Sequence, residues 1–167
     1  MCQRKGERTI MKKRLLTLLL AIVMCVTGIV SWKFETKAET TEEDITLSEL
    51  MTEDALIGYS QNQTWGVYYS DGYSIINKIS SSKVGAGGVT NANVKCTVSV
   101  QAILERKNSA GKWEWITSWT QTNQNAYSAM ISKSVTVASG YYYRVRCFHD
   151  AGTDTSSSYT SGLWIGN

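Results

Sequence analysis

Several stretches of this chain alternate between hydrophobic and polar residues with a period of two, which predicts β-strands with one buried face. The clearest is residues 94–106, where every second residue from Val94 to Leu104 is apolar. Residues 112–120 alternate in the same way and put three tryptophans on one face: Trp113, Trp115 and Trp119. A short turn containing Gly111 separates the two stretches. We therefore expect an antiparallel hairpin here.

A third alternating stretch, residues 141–150, carries most of the residues that could do chemistry. Val145, Cys147 and His149 share one face of this predicted strand. The other face holds a row of aromatic and basic side chains: Tyr142, Arg144, Arg146 and Phe148. Because Cys147 is in phase with Val145, we expect its sulfur to point into the core.

Turn signals divide the rest of the chain into further short strands. Asp71-Gly72 is typical of a type I′ turn between two strands, and residues 80–88, SSSKVGAGG, predict a flexible loop. The chain has no proline, and Ser, Thr, Gly, Tyr, Trp and Val dominate after the first 38 residues. About six to eight short strands with polar turns predict an all-β fold. We expect a single antiparallel β-sandwich over residues 56–167, with a small barrel as the alternative.

The first 38 residues have the features of a secretory signal peptide. Three basic residues, 12–14, precede an uncharged and mostly apolar run of 16 residues from Leu15 to Val30. This run is shorter than the roughly 20 residues that span a bilayer, so cleavage after Ala38 is favoured over a permanent anchor. Residues 1–10 are not needed for the signal, which makes Met11 an alternative start. We expect a secreted or wall-associated protein with no stable membrane span after cleavage.

The charge is unevenly distributed once this signal peptide is set aside. The whole chain is +3, but eight of its 17 basic and two of its 14 acidic residues lie in residues 1–38, which leaves −3 for the remainder. This balance argues against nucleic-acid binding. Residues 39–54 contain seven acids and no base. They predict an acidic, flexible leader over residues 39–55 with a short helix near residues 45–51; the alternative is a pro-segment that folds onto a basic face.

Two cysteines, Cys96 and Cys147, follow the signal peptide. An even pair in an exported chain points to a disulfide, and both cysteines are in phase with neighbouring valines on the predicted core face. Closing a loop of about 50 residues stabilises a fold by roughly 4 kcal/mol in the chain-entropy model. We therefore expect a buried disulfide between the two strands.

The combination of Cys147, His149 and Asp150 contains the residue types of a thiol nucleophile site. The predicted disulfide removes the thiol, so we expect no catalytic residue and no enzymatic activity. His149 is the one histidine of the chain and has no acidic cluster beside it, so we expect no metal and no cofactor. We expect His149 to end its strand with a bond to a turn backbone, and Asp150 to begin the turn.

A group of aromatic residues is the best candidate for a ligand surface. Aromatic rings stack on sugar rings, while short polar side chains bond hydroxyl groups. The candidate residues are Trp65, Tyr68, Tyr69, Asp71, Tyr73 and, where its strand leaves the sheet, His149. The alternative is that these alternating aromatics form the core face of a hairpin.

The segment 139–167, SGYYYRVRCFHDAGTDTSSSYTSGLWIGN, resembles the C-terminal end of a family of small secreted proteins of unknown function from Gram-positive bacteria. The similar features are the YYRVR run, the histidine, the Ser/Thr-rich turn and the closing YTSGLWI. The stretches LERKNSAGKWEWITSW and GVYYSDGYSII look like the middle and the beginning of the same family. The resemblance implies a secreted single β-domain with no assigned activity. The family often has a small residue in place of Cys147, which implies that a disulfide is particular to this chain.

More loosely, the same segment is similar to the penultimate strand and following turn of fibronectin type III and immunoglobulin-like domains. This similarity implies a sandwich of that kind, in which Trp113 or Trp115 is the core tryptophan beside the disulfide.

Together these expectations favour a non-catalytic extracellular or cell-surface interaction module whose partner is an extracellular protein or a glycan. One alternative is a secreted antimicrobial or competition factor, because the chain after the acidic segment is compact, rich in Trp and Tyr, and basic. Another is a carbohydrate-binding module that uses Trp65 and the neighbouring tyrosines.

Overall fold

The computed structural model describes residues 40–60 and 66–167, which form eight β-strands and one short helix. In chain order these are β1 (Glu42–Asp44), α1 (Leu47–Leu50), β2 (Leu56–Tyr59), β3 (Tyr69–Ser80), β4 (Lys83–Lys107), β5 (Trp113–Thr136), β6 (Tyr141–Ala151), β7 (Asp154–Tyr159) and β8 (Leu163–Ile165). The hydrogen-bonded order is β1-β5-β4-β3-β2; β6 also pairs with β4, and β7 and β8 both pair with β6. All pairings are antiparallel. The predicted all-β fold is confirmed.

Two long strands, β4 and β5, belong to both layers of a sandwich. The first part of β4, residues 83–92, pairs with β3, whereas its second part, residues 98–106, pairs with β6. β5 follows β4 on the other edge as one long hairpin, which confirms the predicted hairpin. The register of β4 is irregular between residues 91 and 98, and Asn125 of β5 has a positive φ of 50°. Because bulges bend strands, we attribute the passage between layers to this region.

We call the two layers layer 1 and layer 2. Layer 1 contains β1, β2, β3, the first part of β4 and the last part of β5; layer 2 contains the remainder of β4 and β5 with β6, β7 and β8. Alternate residues of both layers form the core, among them Ile76, Val84, Ala86, Val98, Val100, Leu104, Val135, Val145 and Ile165. The buried Tyr143 donates its hydroxyl to the carbonyl of Ala138 at 2.8 Å. A tyrosine that bonds back to the backbone a few residues upstream is a feature of immunoglobulin-like sandwiches.

Glycines allow the side chains of layer 2 to approach the backbone of layer 1. A Cβ atom on Gly88 would lie 2.4 Å from the sulfur of Cys147, and one on Gly72 would lie 2.7 Å from the ring of His149. Gly72 lies within β3 and Gly88 within β4. The predicted type I′ turn at Gly72 is therefore wrong, and of the loop predicted at residues 80–88 only a two-residue turn at 81–82 is present. Both glycines mark a close approach within strands instead of a turn.

The acidic segment is part of the sandwich. β1 pairs with the last residues of β5. Helix α1 begins with a capping box, in which the Glu49 carboxylate accepts the backbone N–H of Thr46 at 2.7 Å. Leu50, the last residue of α1, is fully buried. The short helix predicted near residues 45–51 is present, but the expectation of a flexible leader is wrong for residues 42–50.

Leu50 fills a depression on the outer side of layer 1. Cβ atoms on Gly85 and Gly87 would lie 3.0 and 2.8 Å from its methyl groups, so the missing side chains create the space that Leu50 occupies. Beside it, the Asn77 amide donates to the carbonyl of Glu49 at 3.0 Å. One apolar side chain and one hydrogen bond thus attach α1 to the sheet.

The part of the chain that the structure describes contains no disulfide, since Cys96 and Cys147 are both free. Cys147 is fully buried and lies opposite Ala102 of β4. Cys96 precedes Ala102 by six positions in the same strand. At about 3.3 Å per residue, the two residues are separated by roughly 20 Å along the strand. A disulfide requires Cα atoms within about 7 Å. The predicted disulfide is therefore corrected: alternation gives the face on which a residue lies, but not its height along neighbouring strands.

Candidate functional site

The structure places two of the residues predicted as a ligand surface, Tyr69 and His149, in the core. Tyr69 is buried, and its hydroxyl donates to Ser60 Oγ at 2.8 Å. Tyr68 places its ring against Gly152, at the turn between β6 and β7. Trp65 lies outside the described residues.

The two remaining residues of that set on β3 lie on its outer side. Asp71 is exposed and accepts a hydrogen bond from the amide of Asn91 at 2.8 Å. Tyr73 is half-buried, and its ring centre lies 5.9 Å from that of Tyr59. The tyrosines of this region therefore have different environments: Tyr69 belongs to the core, and Tyr73 packs beside another tyrosine.

His149 is fully buried between the two layers, which corrects its assignment to a ligand surface and to a strand end. Its Nδ1 lies 2.8 Å from Thr90 Oγ1, and its Nε2 lies 2.8 Å from Ser158 Oγ. The Thr90 hydroxyl donates to the carbonyl of Ser99 at 2.9 Å, so its oxygen accepts from the Nδ1–H. Nε2 then accepts from Ser158. Burial lowers the pKa of His149 to about 4, which keeps the ring neutral.

The Cys-His-Asp combination does not assemble into a nucleophilic site. Burial raises the pKa of the Cys147 thiol, which keeps it protonated at neutral pH. Asp150 is exposed on the opposite side of β6 from Cys147 and His149. The thiol and the imidazole are thus core groups of layer 2, each packed over a glycine of layer 1.

Neither a metal site nor a membrane helix is found in the described part of the chain. Among residues 40–60 and 66–167, no three or more His, Cys, Asp or Glu side chains are grouped so that they could hold a metal ion. In the same ranges, no helix has the length and apolar character needed to cross a membrane.

The outer side of layer 2 carries exposed aromatic side chains around two arginines, and we call it the aromatic–arginine face. Its members are Trp113, Trp115, Tyr142, Arg144, Arg146, Phe148, Tyr159 and Trp164, with Glu105 at the centre. Five of the six aromatic side chains are between 39% and 60% exposed, and Trp113 is partly covered. Contiguous apolar surface of this kind marks interaction sites on soluble proteins.

The sheet register arranges these side chains in rows across the strands. The rows read Trp164–Tyr142, then Arg144–Glu105–Trp115, then Tyr159–Arg146–Ile103–Ser118, and then Ser157–Phe148–Gln101–Thr120. The aromatic and charged residues therefore occupy one end of the face. Side chains with hydroxyl or amide groups start with Ser118 in the third row and fill most of the fourth row, with Ser157, Gln101 and Thr120.

A bulge in β5 turns two tryptophans outward. Ile116 has no partner in β4, because its neighbours Trp115 and Thr117 pair with consecutive residues of that strand. One extra residue reverses the alternation of side chains along a strand. Trp119 therefore packs against the core, whereas Trp113 and Trp115 join the aromatic–arginine face. The predictions that the three share one face, and that Trp113 or Trp115 is the core tryptophan, are wrong.

One buried carboxylate pairs with both arginines of the face. Glu105 is 5% exposed and accepts from Arg144 Nε at 2.7 Å and from Arg146 Nη2 at 3.0 Å. A carboxylate at this depth requires such partners, because burying it unpaired would cost several kcal/mol. One negative charge against two guanidinium groups leaves one positive charge in excess.

The aromatic rings hold the arginine side chains in place. The Arg144 guanidinium lies 4.5 Å from the ring centre of Trp113 and 5.5 Å from that of Tyr159. Arg146 lies 5.3 Å from the ring centre of Phe148. Cation–π contacts and the ion pairs to Glu105 together fix the guanidinium groups before any ligand arrives.

Sequence reasoning missed this face although part of its signal was present. Tyr142, Arg144, Arg146 and Phe148 alternate opposite the core residues of the same strand, which places them on the solvent side. Aromatic residues on the solvent side of a strand are a sign of binding. The contribution of β5 was hidden by the bulge at Ile116, which no alternation rule predicts.

Comparison with known proteins gives a family but no activity. The model of a family of unknown function, DUF6147, matches residues 45–162. Among curated proteins, no sequence matches this chain. A solved structure, the solution structure of R. palustris CsgH, is similar at 17% identity over 52% of this chain and 87% of that one, with a TM-score of 0.36. Since the family model covers more than half of the sequence, the chain belongs to DUF6147, a family of unknown function.

Proposed function

We propose that this protein is an exported, non-catalytic interaction module that binds its partner through the aromatic–arginine face. The observation that carries the proposal is the group of five aromatic side chains, 39–60% exposed, around a fixed arginine pair. Binding interfaces are enriched in Trp, Tyr, Phe and Arg, and these residue types contribute most of the binding energy.

The buried state of the reactive residues supports a non-catalytic role. Cys147 and His149 are both fully buried. Burial raises the pKa of the Cys147 thiol and lowers the pKa of His149, so both side chains are neutral. A nucleophile or a general base needs access to a substrate and a pKa suited to proton transfer. The exposed residues of layer 2 have the composition of a binding surface instead.

The extracellular location rests on the N-terminal sequence. A basic cluster followed by 16 apolar residues is typical of a signal for export, and Ala38 offers a cleavage position. The proposal therefore places the module outside the cell, free or associated with the wall, where its partner is a surface component.

A binding assay on intact cells tests the proposal. The full-length chain is expressed so that the producing cell processes it, and the exported protein is labelled and added to cells. Trp115, which is 60% exposed, is replaced in Trp115→Ala; the control is Tyr127→Ala, which removes a 55% exposed aromatic of layer 1. We expect wild type and Tyr127→Ala to bind and Trp115→Ala to lose at least tenfold in affinity. Equal binding by the two variants would exclude this face as the binding surface.

A further inference from the structure

We propose that the aromatic–arginine face binds an acidic polysaccharide, and that Arg144 and Arg146 bind carboxylates carried on its sugar rings. This inference rests on the proposed function and names the ligand class of the same surface. It follows from the charge of the face, the geometry of its arginines and the side chains in the neighbouring rows.

The charge of the face favours an anionic ligand. Arg144, Arg146 and Lys107 lie around Glu105, which leaves two positive charges in excess at the aromatic end. Asp150 is the next acid on this side of β6, two positions beyond Phe148 and outside the aromatic rows. A second copy of the same face would be repelled by this charge, whereas a polymer with regularly spaced carboxylates would be attracted.

The arginines are arranged to receive a carboxylate. Glu105 receives the Nε–H of Arg144 at 2.7 Å, and the terminal NH₂ groups of that guanidinium remain for an incoming anion. Trp113 and Tyr159 keep the guanidinium in place, so little side-chain entropy is lost on binding. A planar guanidinium matches a carboxylate with two parallel hydrogen bonds.

The aromatic rings favour a polymer of sugar rings over an anionic chain without rings. Trp115 and the Tyr142–Trp164 pair are exposed near the arginines, and the last two rings have their centres 5.1 Å apart with their planes tilted by 59°. The C–H groups of a pyranose ring pack against exposed aromatic rings. A polymer of phosphodiesters and linear alditols would satisfy the arginines but leave these rings uncovered.

The neighbouring rows supply the polar groups that sugar hydroxyls need. Ser118, Gln101, Thr120 and Ser157 follow the aromatic rows on the same side of layer 2. The face is the outer side of a β-sheet, and its rows run across four neighbouring strands, so an extended chain can lie along or across them. An aromatic platform, fixed cations and short hydroxyl or amide side chains together fit an acidic glycan better than an acidic protein surface.

Affinity electrophoresis of the exported protein in gels that contain polygalacturonate tests the inference. The expected result is strong retardation of wild type and of Tyr127→Ala. Trp115→Ala and Arg144→Gln are expected to bind at least tenfold more weakly, and Arg144→Lys is expected to be intermediate because it keeps the charge but loses the planar fork. Thermal melting of each variant identifies a loss caused by misfolding. Trp115 is 60% exposed, so Trp115→Ala keeps the test valid if the Arg144 variants unfold.

The neutral form of the same polymer is the decisive control. Fully methyl-esterified polygalacturonate is expected to retard wild type at least tenfold less, and equal retardation by the two polymers would overturn the inference. If no acidic polysaccharide is bound while intact cells still bind in a Trp115-dependent manner, the inference is wrong and the proposed function stands. Loss of that cell binding after protease treatment of the cells would assign a protein partner and also overturn the inference. Failure of both assays would overturn both proposals.

Discussion

At the scale of single residues, His149 shows how a reactive side chain is used as part of a core. Its two ring nitrogens are each bonded to a hydroxyl at 2.8 Å, from Thr90 in layer 1 and Ser158 in layer 2. The ring therefore links the two layers through polar contacts, and Gly72 leaves the space for it. A buried polar network of this kind contributes to stability only while every member keeps its partner.

The burial of His149 predicts a loss of stability in acid. Its pKa is about 4 in the folded protein and about 6.5 when unfolded, so between these values the unfolded state binds the additional proton. Stability is therefore complete above about pH 6.5 and decreases as the pH falls toward 4, by up to about 3 kcal/mol from this residue. Urea unfolding at pH 7, 5.5 and 4 measures the effect. His149→Gln is expected to show a smaller decrease over this range, and parallel pH profiles for the two proteins would contradict the prediction.

At the scale of elements, α1 illustrates how a short polar segment becomes part of a fold. Four residues cannot form a stable helix alone, so the capping box and the burial of Leu50 must stabilise it. The ion pairs Lys83–Glu43 at 2.8 Å and Lys133–Asp44 at 2.6 Å lie at exposed or half-exposed positions and contribute little by themselves. We therefore assign most of the attachment to Leu50.

Leu50→Ala is expected to destabilise the protein by about 2–5 kcal/mol, because it opens a cavity over Gly85 and Gly87. The neighbouring Met51 is 42% exposed and provides the matched control. Met51→Ala is expected to change stability by no more than about 0.5 kcal/mol. Equilibrium unfolding in urea gives both values. Similar effects of the two substitutions would mean that α1 is not anchored through Leu50.

At the scale of the whole molecule, the sequence was sufficient for the fold class and for the β4–β5 hairpin. Hydrophobic alternation predicts a strand that is buried on one side, and residues 98–102 do alternate between buried and half-buried positions. The first part of β4 could not be recognised, because its residues 84–90 are buried on both sides and three of them are glycine. Small residues give no hydrophobic period, and here they make room for Leu50 and Cys147.

The candidate site was less accessible to sequence reasoning than the fold. Alternation put Trp115 on one face with Trp119, and the similarity to immunoglobulin-like domains made Trp113 or Trp115 the core tryptophan. The bulge at Ile116, which separates their faces, is invisible in the pattern. Tyr69 and His149 were assigned to a surface because aromatic and ionisable side chains suggest function, whereas both are buried here. The aromatic–arginine face depends on register between five strands, and register is set by turns and bulges along the whole chain.

The covalent state of the whole molecule provides a further prediction. Since Cys96 and Cys147 are free, the mass of the purified protein should be the same before and after reduction. Alkylation without denaturant should modify Cys96, which is partly exposed, and not the fully buried Cys147; in urea both should react. A mass two units lower before reduction, as expected for loss of two hydrogens, would show that a disulfide forms and that the strands rearrange.

Because Cys96 and Cys147 form no disulfide, the chain can fold before it reaches an oxidising compartment. A protein that needs a disulfide stays unfolded until it reaches an oxidising compartment, and oxidation then times its folding. This sandwich has no such requirement, so the reducing interior of the producing cell is no obstacle to its folding. If the chain is exported unfolded, as the proposed function requires, something other than oxidation must delay its folding.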